Sequence, residues 1–134
     1  MHSFKHCEER LSQLQLKSAE KDFLDRFVLC VSDNLADGPL TLDDCARLMN
    51  LHPSRLRRRI VNTTGLTPPD IICYYRLKRA MQLLNLDPRP RMFEVAQLCG
   101  FADGCHFAHV FRRSFGISPQ KYCLFIDKNN ALSI

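Results

Sequence analysis

Four arginines fall within five residues, at positions 55, 57, 58 and 59, and no carboxylate stands between Asp44 and Asp70. A guanidinium is always charged and presents a planar fork of donors. That fork fits the O6 and N7 of guanine in the major groove, or the oxygens of a phosphate. A polyanion, double-stranded DNA above all, is the partner such a cluster suits; the bland alternative is a solvated basic face. A second group, Cys105, His106 and His109, sits 50 residues further on. Histidine can donate to a base or phosphate, and Cys or Ala can touch a thymine methyl. The same trio, with His2, His6 and Cys7, invites a metal reading. Zinc needs four ligands at fixed spacing, and no paired Cys-x-x-Cys is present, so no metal is expected. Neither a phosphate-cradling glycine loop nor an HExxH or GxSxG motif occurs. Catalytic residues and cofactors are therefore not expected, and the chain does not read as an enzyme.

The elements that must carry these groups form a repeat. Leu42, Cys45, Ala46 and Met49 lie at the i, i+3, i+4, i+7 spacing of a short amphipathic helix, and Met92, Val95, Ala96 and Cys99 repeat it 50 residues later. Each stripe ends in a residue able to take the left-handed turn, Asn50 or Gly100, followed by a hydrophobe. A second helix follows in each copy, its inward side marked by Leu56 and Ile60 in one and by Phe107 and Phe111 in the other. Gly65-Leu66-Thr67-Pro68 then answers Gly116-Ile117-Ser118-Pro119. Helix, tight turn and helix, twice in register, is the pattern of the helix-turn-helix. With Leu56 and Ile60 inward, Ser54, Arg57, Arg58 and Val61 share the outer face; with Phe107 and Phe111 inward, Cys105, His106 and His109 are free to meet a groove.

The predicted fold is all-α: two helix-turn-helix subdomains joined by a long linker helix, about seven helices in all. The boundaries follow the punctuation. Residues 1–20 read as a frayed lead-in, 21–67 as the first subdomain, 68–86 as the linker helix, 87–123 as the second subdomain and 124–134 as a tail. Thr41 and Asp103 stand where N-caps are needed, and Pro53 suits a first helical turn. The helix stripe Leu24, Phe27, Val28, Val31, Leu35 ends at Asp37-Gly38-Pro39, and Pro88 and Pro90 break the linker helix.

Charge is unevenly spread. Residues 1–50 hold 6 Lys and Arg against 9 Asp and Glu, net −3, whereas residues 51–134 hold 13 against 5, net +8. A basic remainder behind an acidic start favours an anionic partner. Hydrophobic residues make up 46%, normal for a globular chain. The longest apolar runs, such as 27–31 and 71–75, are far too short to span a bilayer, and the start lacks the apolar core of a secretory signal. Seven cysteines without a paired motif read as free thiols in a reducing compartment, so the expected location is cytoplasmic, without membrane contact.

With these residues in place, the chain resembles the DNA-binding domain of the AraC/XylS family of bacterial transcription regulators, over about residues 22–123. The most specific stretch is Met92, Val95, Ala96, Cys99, Gly100, Phe101, Phe107, Phe111, Phe115, Gly116, Ile117, Ser118, Pro119 and Tyr122; Leu56, Gly65, Thr67, Pro68, Arg76, Leu77, Ala80, Leu83 and Leu84 add the first half. The resemblance implies one recognition helix per subdomain in adjacent major grooves, about one turn apart. It implies base contacts from Ser54, Arg57, Arg58, Cys105, His106 and His109, phosphate contacts from Arg55, Arg76, Arg112 and Lys121, and RNA polymerase as a further partner. The chain departs from the family at His109, where Arg is common, and at His52, where Ser commonly caps, so a weak cap is expected there. Residues 22–35 are similar to the lead-in found when this module ends a hybrid two-component sensor of gut Bacteroidetes. Regulation of transcription by sequence-specific duplex binding is the expected function, with no small-molecule site in this chain. The alternative is a helix-turn-helix scaffold used as a protein-interaction adaptor.

Overall fold

The computed structural model describes residues 3–38, 40–87 and 89–132, with side chains as far as residue 127; His2, Pro39 and Pro88, which enter the sequence reading, lie outside them. Among the described residues all regular structure is helical: α1 Phe4–Ser12, α2 Ser18–Asn34, a 3-10 turn Leu35–Asp37, α3 Leu42–Leu48, α4 Pro53–Thr64, α5 Pro68–Leu86, α6 Met92–Leu98, α7 Gly104–Phe115 and α8 Pro119–Leu132. The two helix-turn-helix units are α3–α4 and α6–α7, and α5 is the rod between them.

Two apolar cores follow from the two stripes. Phe23, Phe27, Val31, Cys45, Ala46, Leu56, Ile60, Leu66 and Ile71 are buried together in the first; Leu77, Ala80, Leu84, Val95, Ala96, Cys99, Phe107 and Phe111 form the second. The helix α5 belongs to both. Ile71, Ile72 and Tyr74 at its start face the first core, and Leu77, Ala80 and Leu84 face the second. Its 19 residues span about 28 Å at 1.5 Å per residue, enough to hold two small units side by side. Thr67 caps its start by accepting from the Asp70 N–H, with Pro68 and Pro69 in the first turn, where a missing N–H costs nothing.

Both ends of the chain correct the sequence reading. Residues 4–12 are helical rather than frayed: Ser3 accepts from the His6 N–H as N-cap, and Cys7 is buried against the start of α5, its thiol 4.0 Å from the Asp70 carbonyl oxygen. The apolar positions Phe4, Cys7 and Leu11 sit one helical turn apart and pack inward. At the other end, α8 runs through Leu132, so residues 124–132 continue a helix instead of forming a tail. Tyr122 on α8 donates to the Asn85 side-chain oxygen and Arg89 pairs with Asp127, which fasten α8 to α5 and its following loop. With α1 added, the expected number of about seven helices becomes eight among the described residues.

Candidate nucleic-acid interface

In the first unit Thr41 accepts from the Asp44 N–H while Asp44 accepts from the Thr41 N–H and hydroxyl, a reciprocal capping box. These hydrogen bonds from the Thr41 backbone and hydroxyl, joined by the charge of Arg47, hold the Asp44 carboxyl below its ordinary value. Asn50 makes the turn at φ 56°, and Leu51 reaches back to the Ala46 carbonyl at 2.8 Å. The expectation of a weak cap at His52 is corrected: its Nδ1 accepts from the Ser54 N–H at 3.2 Å and lies 2.8 Å from the Ser54 hydroxyl. An imidazole nitrogen thus fills the role of the usual hydroxyl, with Pro53 at the first helical position.

Leu56 and Ile60 are fully buried and fix the rotation of α4. Ser54, Arg55, Arg57 and Arg58 are then exposed, with Val61 partly so. No acidic residue occupies the first turn of α4. The positive end of a helix dipole favours anions, and arginines packed near it add to a positive field that suits an external anion. Arg59 departs from this face. Its guanidinium lies over the Phe23 ring of α2, 3.9 Å from the centroid, so a cation–π contact holds it against the first core.

In the second unit Gly100 takes the turn at φ 84°, and Asp103 caps α7 by accepting from the His106 N–H at 2.7 Å. Phe107 and Phe111 are fully buried, and Cys105, His106 and His109 are exposed on the other side. The His106 ring stands edge-on to Phe101 at 5.6 Å, which leaves Cys105 and His109 as the freer pair. Arg112 and Arg113 are exposed in the last turn, where cations suit the helix end, and Lys121 is exposed at the start of α8. Burial pushes the Cys45 and Cys99 thiols up to about 12, so these thiols serve as small apolar groups. Among the described residues no three His, Cys, Asp or Glu side chains gather as metal ligands, and no helix is long and apolar enough to cross a membrane.

Arg76, also expected to contact phosphate, has partners within the chain. Its side chain is half-buried at the seam between the units, where it donates to the Leu40 carbonyl at 3.2 Å and lies 5.7 Å from the Phe101 ring centroid. Burial lowers its pKa, the sign of a cation taken out of water. It joins the units instead of standing beside the exposed cations. Gly100 lies at the same seam: a Cβ there would come within 2.6 Å of the Leu35 carbonyl oxygen. The remaining candidates form two exposed faces, Ser54, Arg55, Arg57 and Arg58 on α4 and Cys105, His106, His109 and Arg112 on α7.

Sequence reasoning missed two side chains that support these faces, Phe4 and Arg10 on α1, and the contact of Arg59 with Phe23. The spacing of Phe4, Cys7 and Leu11 behind a Ser cap was the available signal for the first two. Arg59 carries none, because the ring it meets is 36 residues away.

The helix-turn-helix domain family matches residues 45–123 of the chain. The chain is 34% identical over 92 residues to the HTH-type transcriptional regulator YpdC of Escherichia coli K12, covering 69% of this chain and 32% of that protein. It is 42% identical over 67 residues to the HTH-type transcriptional activator RhaR of Pectobacterium atrosepticum, covering 50% of this chain and 23% of that one. The chain thus spans a third or less of the length of these curated relatives. Among solved structures, a transcriptional regulator of Chromobacterium violaceum with an AraC-type DNA-binding domain superposes with a TM-score of 0.70 at 26% identity, over 82% of this chain and 96% of that one. The DNA-binding domain of AdpA, solved with a target DNA, has the same fold, with a TM-score of 0.71 at 24% identity over 79% and 94%.

Proposed function

The chain belongs to the AraC-type helix-turn-helix family, the DNA-binding domains of transcription regulators, and on that premise we propose that α4 and α7 enter adjacent major grooves on one face of a duplex. Ser54, Arg57 and Arg58 read bases in one groove, and Cys105, His106 and His109 read the next, about one helical turn away. Arg55, Arg112 and Lys121 neutralise phosphates at the flanks and set the register. The observation that carries this reading is the exposed face of α4, basic near the positive end of its helix and without a carboxylate in the first turn.

For the whole regulator we propose a cytoplasmic protein that contacts RNA polymerase, in keeping with relatives named as transcriptional activators. Residues 22–35 and the shared fold of the C-terminal domain of AraT, a response regulator from Geobacillus stearothermophilus, support an output role in a two-component system. No catalytic step or cofactor enters this reading.

Selection of binding sequences from a random duplex pool, followed by a salt titration on the winner, tests the proposal. The expected product is a two-part motif whose affinity falls about 100-fold between 50 and 200 mM salt if about four phosphates are neutralised. Enrichment of no motif, or affinity indifferent to salt, overturns it in favour of a protein-binding scaffold.

A further inference from the structure

The helix α1 lies outside the stretch matched by the family, yet it touches both units. Among the described residues, Phe4 is the one partly buried apolar side chain packed against both cores. Its ring stacks on Tyr74 of α5 at 4.8 Å and meets Phe115, the last residue of α7, edge-on at 5.0 Å. Six residues on, Arg10 donates from Nε to the carbonyl of Thr64, the last residue of α4, at 2.7 Å. That carbonyl is one of those a helix leaves without an internal partner, and a cation suits the negative end of the dipole. The guanidinium closes over Gly65, where an added Cβ would stand 2.9 Å from it. Phe4 and Arg10 are about 9 Å apart along one rigid helix. The C-terminal ends of both recognition helices are therefore held on a single nine-residue rod.

We infer that α1 is a strap that sets the distance and angle between the two recognition helices, so that Phe4 and Arg10 act as positioning residues for half-site spacing. The seam where Arg76 and Gly100 meet Leu40 and Leu35 involves neither Thr64 nor Phe115, the last residues of α4 and α7. With only that seam and α5, the units can splay about the middle of α5; with α1 in place they cannot. The strap touches neither groove-facing surface, so its loss alters the geometry between half-sites and not the contacts within one. This inference rests on the two-groove reading for its consequence in DNA binding, but its mechanical part does not.

Two measurements on the full chain test it. The first uses the two-part duplex selected by the wild-type chain, the same duplex with one base pair inserted or removed between the halves, and a duplex carrying one half alone. Wild type is expected to lose about 100-fold on each altered spacing, as when simultaneous engagement of two linked sites is lost. Phe4→Ala and Arg10→Met should flatten that loss to about tenfold or less, with half-site affinity held within about twofold of wild type. The second is free of DNA: nitroxide labels on Cys105, the one exposed cysteine, and on Asn62→Cys report the α4–α7 distance. A narrow distribution that broadens in both variants supports the strap. An unchanged width, or a spacing profile that keeps its wild-type shape while every affinity drops together, overturns it. Should Phe4→Ala unfold, Arg10→Met alone decides, since it leaves the aromatic contacts whole. A wild-type chain that selects no two-part duplex refutes the two-groove reading, and the label distances then judge the strap by themselves.

Discussion

The two helix-turn-helix units share a plan and differ in where their side chains spend their polarity. The first has a reciprocal cap on α3, an imidazole cap on α4 and a row of exposed arginines. In the second, the N-cap of α6, Arg91, makes no side-chain cap, the turn glycine is pressed against the other unit, and phenylalanines run through the core. Its outer face offers a thiol and imidazoles. A repeat can therefore keep its backbone while one copy exposes more arginines and the other buries more aromatic rings. The left-handed turn shows this most plainly: Asn50 is exposed at φ 56°, while Gly100 is buried at φ 84°.

The deepest substitutions test whether the cores are equivalent. Phe107→Ala should cost about 3–5 kcal/mol and Leu56→Ala about 2–5 kcal/mol, read from urea unfolding. A cost below about 1 kcal/mol at either site would mean that its unit is not held by the core described.

The turns should separate more clearly. Gly100→Ala combines a left-handed backbone with a contact to a carbonyl oxygen that cannot swing aside, and is expected to cost about 2–4 kcal/mol. Asn50→Ala should cost about 1 kcal/mol, since only the conformational preference is lost. Equal thermal shifts in the two variants would erase the distinction drawn between the turns.

DNA affinity sharpens the asymmetry of the reading faces. Arg57→Ala should lose about 1–3 kcal/mol on the selected duplex and much less on random DNA, and His109→Ala less than about 1 kcal/mol. Titration by fluorescence anisotropy decides: a larger loss for His109 reverses the order of the two units, and equal losses of Arg57→Ala on both DNAs reduce that residue to a phosphate contact.

The smallest effect concerns acid. The Asp44 carboxyl is held below its ordinary value by the Thr41 N–H and hydroxyl, so its contribution is present above the unfolded-state value and fades as pH falls through the folded one. Asp44→Asn should melt slightly lower than wild type near neutrality, and the gap should close below about pH 4. A gap that persists in acid would place the loss in something other than the cap.

Much of this architecture was legible because it depends on local rules. The two stripes, the turn residues Asn50 and Gly100, and the caps Thr41 and Asp103 all act within a few positions of themselves, and they define α3, α4, α6 and α7. The exposed arginines of α4 follow from fixing Leu56 and Ile60 inward. Contacts that span sequence were not legible. Arg76 is of the same type as the arginines of α4, and its partial burial comes from the seam with Leu40 and Phe101, 36 and 25 positions away. Phe4 and Arg10 sit in a stretch whose apolar spacing has no repeat to confirm it, and their partners lie 54 or more residues away. The His52 cap was misjudged because a ring nitrogen can accept a backbone hydrogen bond as a hydroxyl does.

The divided allegiance of α5 has a thermodynamic consequence. Its opening turns complete one core and its remaining turns the other, so neither half of the chain owns a full set of apolar partners. Melting one half frays a helix that the other half needs. The two halves should therefore lose structure together as one cooperative unit, and a break in the chain within α5 should leave two incomplete fragments instead of two smaller domains.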